Sequence, residues 1–209
     1  MKNATRIFVS TFGAIWALAG IEHGIGEVLQ GNAAPSGVMF PSWPDATFFR
    51  SLDGEPAMTI FPNLFITGIL TLLFSLALLV WAIWFVQRKH GGLVMIILSI
   101  AMLLVGGGIF PPILSILVGI VAIRMHAPAS PGVHRWDGFR RFLANLWPWS
   151  YAACLIAWLS MFPGLAFIGY FFGVDNPTII LVFLLFGLVA FILTVFSGFA
   201  YDSQAQASS

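Results

Sequence analysis

The chain has 209 residues, 59% of them hydrophobic and 8% charged, with a formal net charge of +1. A soluble domain carries about a quarter charged residues, so a water-facing surface of this size is excluded and the surrounding medium must be lipid. The near-zero net charge also removes any global attraction to nucleic acid or acidic partners.

In lipid, only helices and closed barrels satisfy their own backbone. Barrel strands would alternate polar and apolar at every second residue. This chain instead has unbroken apolar runs such as Leu64–Val86 and Ile179–Val195. The expected fold is all-α: a polytopic helical membrane protein, with residues 1–201 as one domain and 202–209 as a disordered polar tail.

The N-terminus imitates a signal peptide, with Lys2 and Arg6, an apolar stretch, and Ala17-Leu18-Ala19 as a cleavage-like site. It is read as the first membrane helix, from about Ile7 to Gln30. An outer loop, residues 31–61, follows. It is rich in proline, glycine and aromatics, with Phe40-Pro41-Ser42-Trp43-Pro44, Phe48-Phe49, Asp45, Asp53 and Glu55. The commoner fate of a loop this apolar is to fold over the mouth of the bundle as a cap.

Helix 2 is expected from Pro62, because a proline at the first helical position loses no hydrogen bond. It ends near Val86, ahead of Arg88-Lys89-His90. The next apolar run, Leu93–Ile123, has 31 residues. A single crossing needs about 20. Gly106-Gly107-Gly108 followed by Pro111-Pro112 divides it into two short helices joined by an outer turn. A re-entrant hairpin is the competing reading of the same run.

Charge decides between them. With six transmembrane helices, Lys2, Arg6, Arg88, Lys89, Arg124, Arg135, Arg140 and Arg141 share one side, and only Arg50 is outside. With five helices the basic residues would split four against five. The positive-inside rule selects six, with both termini cytoplasmic in a bacterial-type inner membrane. Asp137–Trp147 reads as a short interfacial helix, with Arg140 and Arg141 towards the headgroups. Helix 5 starts at Pro148 and is kinked by Pro163. Asp175-Asn176-Pro177 starts helix 6, which runs to Tyr201.

The chemistry concentrates in helix 1. Positions 6, 10, 13, 17, 20, 24, 27 and 31 form one stripe and read Arg, Ser, Gly, Ala, Gly, Gly, Glu, Gly. Small residues on such a stripe admit a neighbouring helix, including one from a homo- or hetero-oligomeric partner. Glu27 sits on it, and His23 lies four residues earlier, within side-chain reach. Glu22 falls on the bulky row of Ile15, Leu18, Ile25 and Leu29. At a rise of ~1.5 Å per residue it lies only about 6 Å below the outer boundary.

These three groups have a plain structural reading, in which they bond loop backbone and pin the outer loop. They also define the candidate ligand site of the chain: Glu22, His23 and Glu27, near the outer leaflet, since ionisable groups at membrane depth are functional candidates by default. His23 and Glu27 are the weak candidates for a metal ion. The His-x-x-x-Glu spacing of His23 and Glu27 resembles part of the site of the sterol-isomerase (emopamil-binding) family. The resemblance covers those two residues alone.

Other chemistry has no carrier. There is no phosphate-binding glycine loop and no cysteine pair, Cys154 being the only cysteine. No cofactor is indicated, and soluble-type catalysis has no motif behind it. The expected function is binding or passing a small solute, ion or lipid-like molecule. A non-catalytic subunit or assembly factor is the alternative, and a membrane enzyme acting on a lipid or quinone comes third.

Overall fold

A computed structural model of the chain describes residues 3–44, 54–126, 137–172 and 176–207. Lys2, Asp45, Phe48, Phe49, Arg50, Asp53, Arg135 and Asp175, singled out above, lie outside the described residues. The described chain is all-α apart from one small hairpin. It contains α1 (Asn3–Gln30), β1 (Met39–Pro41), β2 (Pro56–Met58), α2 (Leu64–Val80), α3 (Gly91–Leu104), α4 (Phe110–Ile123), α5 (Asp137–Leu159), α6 (Leu165–Phe172) and α7 (Pro177–Ala207). Four helical stretches are long and apolar enough to cross a membrane: Ala4–Gln30, Leu64–Phe85, Gly138–Leu159 and Thr178–Gln206. The helices α3 and α4 have 14 residues each. At ~1.5 Å per residue that is about 21 Å, short of a bilayer core.

Several boundaries differ from those expected, each for a local reason. Pro62 does not open α2. Asn63 caps it instead, with extended backbone and its side-chain oxygen accepting from Ile66 N at 3.0 Å. This satisfies one of the free N–H groups of the first turn. The separate interfacial helix at 137–147 is also corrected, because α5 runs unbroken through Pro148. A ring contact within the helix and a bond from α7 hold it. The rings of Trp147 and Tyr151 lie 5.2 Å apart, and the Thr194 hydroxyl donates to Ser150 O at 2.8 Å. Pro163 does disturb its helix, which widens to a π-helical turn over Ser160–Gly164 before α6.

The expected disordered tail is the third correction. Helix α7 continues to Ala207, and Asp202 is buried. Its carboxylate accepts from Ala4 N at 2.9 Å, Thr5 N at 3.0 Å and the Thr5 hydroxyl at 2.6 Å. The first turn of α1 has free N–H groups and a partial positive charge, so an acidic residue on α7 completes it. The start of α1 and the end of α7 therefore meet at one end of the bundle. Asp202→Ala would strand these donors in a buried place. The expected loss is about 2–3 kcal/mol, read as a lower thermal midpoint of the detergent-held protein. An unchanged midpoint would contradict this tie.

The core lies between α1, α5 and α7 on one side and α1, α2, α3 and α4 on the other. Trp16 meets Trp158 edge-on at 4.7 Å, and Phe8 and Phe12 pack on Phe191 at 5.0 and 5.9 Å. The small-residue stripe of α1 is used inside the chain. A Cβ on Gly13 would lie 2.7 Å from Ala82 Cβ, and one on Gly20 would lie 2.5 Å from Ser75 Oγ and 2.6 Å from Met102 Sδ. Gly24 and Gly68 face each other where α1 crosses α2. The stripe expected to receive an oligomeric partner is covered by the chain's own α2 and α3.

Candidate functional site

The residues of interest meet at the opposite end of the bundle from Asp202, where α1 ends, α2 begins and α3 turns into α4. The loop after α1 arrives there by pairing with itself. Strands β1 and β2 are antiparallel, with Phe40 opposite Ala57. The next step is Ser42 N donating to Glu55 O at 2.8 Å, which sets Ser42 beside Glu55. Gln30 at the end of α1 donates to Ser42 O at 2.8 Å and Pro41 O at 3.2 Å. On the far side of the hairpin, Thr59 bridges to Val105, and Ile60 N donates to Leu104 O at 3.1 Å. The loop is thus a cap stitched to α1 and to the α3–α4 turn.

Beneath the cap lies a chain of polar contacts. Glu27 is fully buried. Its Oε2 lies 3.1 Å from the Thr71 hydroxyl, which is shared with Val105 O, and its Oε1 accepts from the Ser42 hydroxyl at 3.3 Å. Ser42 has one hydroxyl proton and gives it to Glu27. Its oxygen therefore accepts from His23 Nδ1–H, 3.0 Å away. With Glu27 ionised and the ring neutral, this sets the tautomer and leaves Nε2 as a bare lone pair. That nitrogen faces Glu55 Oε2 at 3.1 Å.

Glu22 lies half-buried, not out in lipid. Its carboxyl faces Glu55 and the Trp43 indole. The ligand atoms of Glu22, His23 and Glu55 all lie within 4.8 Å of one another. Glu55 is 6% exposed, and its Oε2 makes no aligned hydrogen bond. Burial first, and then the neighbouring Glu22 charge, push the Glu55 carboxyl up to about 10.

The fourth wall is the glycine turn. Gly106 and Gly108 have φ of 108° and 78°, a region that favours glycine. A Cβ on Gly106 would sit 2.3 Å from Glu27 Oε1, and one on Gly108 would sit 2.3 Å from His23 Nε2. The backbone of this turn is pressed onto both side chains, and only glycine permits it.

Of the residues expected from sequence, Glu22 and His23 stand together. Glu27 reaches His23 through Ser42, not by the direct contact that its spacing suggests. Glu55, Ser42, Thr71, Gly106 and Gly108 complete the site and were not among the candidates. Glu55 carried one signal, an acidic residue leading directly into the short stretch Pro56-Ala57-Met58-Thr59. The fold and site together define an all-helical bundle with four helices able to cross a membrane and a closed polar cluster under its cap. No protein-family model, curated protein or solved structure matches the chain.

Proposed function

We propose an integral membrane protein that binds, and in passing can exchange, a small cation at Glu22, His23, Glu27 and Glu55. In this reading the chain crosses a bacterial-type inner membrane six times. The short pair α3 and α4 counts as two crossings, both termini are cytoplasmic, and the site sits near the outer leaflet. The described basic residues Arg6, Arg88, Lys89, Arg124, Arg140 and Arg141 all stand near helix ends at the far side from the site, in keeping with the positive-inside rule.

One observation carries the proposal. Among the described residues, the carboxyls of Glu22 and Glu55 and the imidazole of His23 have ligand atoms within 4.8 Å of one another, and His23 Nε2 faces the buried Glu55 Oε2 at 3.1 Å. Two lone pairs do not share a buried gap of that length without a proton or a cation between them, and uncompensated burial of charge is costly. Glu22 and Glu55 also need a proton or ion between them to attract each other.

The test is stability against pH in metal-free detergent solution. Glu55, raised from an ordinary 4.5 to about 10, keeps a proton in the folded protein that the unfolded chain releases. Its contribution is full below about pH 4.5 and is lost as pH rises towards about 10. The expected slope is at most ~1.4 kcal/mol per pH unit, the value for one proton. Glu55→Gln, which keeps the shape without the charge, should flatten it. A wild-type midpoint that stays level or rises from pH 5 to 9, in a chain that also binds no metal ion, would overturn the proposal.

A further inference from the structure

We infer that this site holds a divalent first-row metal ion, Zn²⁺ or Mn²⁺ in kind, ligated by Glu22, Glu55 and His23 Nε2. The inference rests on the cation-binding reading above and narrows it to one class of ion.

The donor set is the first argument. One imidazole nitrogen and two carboxylates, each with a ligand atom within 4.8 Å of the others, match the borderline ions better than calcium, which takes six to eight oxygens. Two ligands at about 2.0–2.1 Å from a tetrahedral ion stand about 3.3 Å apart. The His23 Nε2 to Glu55 Oε2 distance of 3.1 Å is close to that. Three protein ligands are also the number found at zinc sites that keep one exchangeable position.

The second argument is independent of the cluster's composition. Metal-bound histidines almost always donate their other ring N–H to an orienting group, which fixes the tautomer. Here His23 Nδ1–H goes to Ser42, and Ser42 in turn donates to the buried Glu27. The relay aims the unprotonated Nε2 at Glu55, whose buried Oε2 has no aligned hydrogen bond of its own. One divalent ion also offsets the charge of its two ligand carboxylates in a place where net charge is expensive.

The geometry also replaces the ligand pair His23 and Glu27 expected from spacing. Both oxygens of Glu27 are engaged, by Ser42 and Thr71, and the Gly106 backbone closes over them. Glu27 is a positioning residue, and Glu22 and Glu55 take the ligand roles.

The experiment uses the full chain in detergent, stripped of metal and then loaded with ZnCl₂, MnCl₂ or CoCl₂. Metal content is measured after gel filtration, and Co²⁺ adds a visible ligand-field spectrum. The expected result is one ion per chain, at least tenfold weaker binding in Glu22→Gln and Glu55→Gln, and a 10–100-fold loss in Ser42→Ala. Should Glu55→Gln fail to fold, the half-buried Glu22→Gln supplies the same comparison. Wild type that binds no ion, or binds it as tightly as Glu22→Gln and Ser42→Ala do, overturns the inference. If stability still falls with rising pH in that case, the occupant is a proton and the cation reading stands. If neither is seen, both fail.

Discussion

Gly108→Val is expected to leave no folded, monodisperse protein, and Gly108→Ala to cost roughly 2–5 kcal/mol. Two effects add. At φ 78° any side chain is strained, by about 1–2 kcal/mol. The new Cβ would also lie 2.3 Å from His23 Nε2 and 2.7 Å from its Cδ2. His23 cannot swing aside without breaking its bond to Ser42, which in turn holds Glu27. Gly106→Ala should be equally harmful, since its Cβ would meet both oxygens of Glu27 at 2.3 and 2.5 Å. Gly138→Ala is the matched control, because a Cβ there meets nothing within 4 Å. Size-exclusion profiles and thermal midpoints in detergent read the comparison. Wild-type behaviour of Gly108→Ala would mean that the turn is not packed on the site.

The second large effect is expected at Gly68→Leu. A Cβ at this position would lie 2.7 Å from Gly24 O and 2.7 Å from Val28 N. Both obstacles are backbone, so no change of rotamer relieves them, and α1 and α2 must separate. The hairpin, Gln30 and the Thr71–Glu27 bond depend on that crossing. Loss of the folded monomer is the expected outcome. A protein that keeps its midpoint and only loses a copurifying partner would restore the small-residue stripe as an intermolecular surface and favour the subunit reading.

The helical class was legible from composition and from apolar runs alone. The division of 93–123 into two helices was legible because three glycines and two prolines cannot continue one. What the local pattern could not carry was anything set by contact between distant segments. Asp202 reads as the start of a polar tail by its neighbours, yet it is buried against Ala4 and Thr5, almost two hundred positions earlier in the chain. Pro148 reads as a helix start, but Trp147, Tyr151 and Thr194 hold the helix through it. The same applies to the site. Glu22, His23 and Glu27 share one helix, so spacing finds them. Ser42 and Glu55 reach them only through a hairpin of three residues on each strand, too short to leave a periodic signal. Gly106–Gly108 is plainly a turn in sequence, but nothing local shows what it packs on.

The central claim is that a positive charge, ion or proton, sits among Glu22, His23 and Glu55. An experimental density map of the full chain, prepared at neutral pH with Zn²⁺ present, tests it most directly. The expected map has the three side chains converged, with ligand atoms within 4.8 Å, Ser42 between His23 and Glu27, and density for an ion at His23 Nε2. A lysine or arginine side chain lodged between Glu22 and Glu55, or both carboxylates turned away into bulk water, would contradict it.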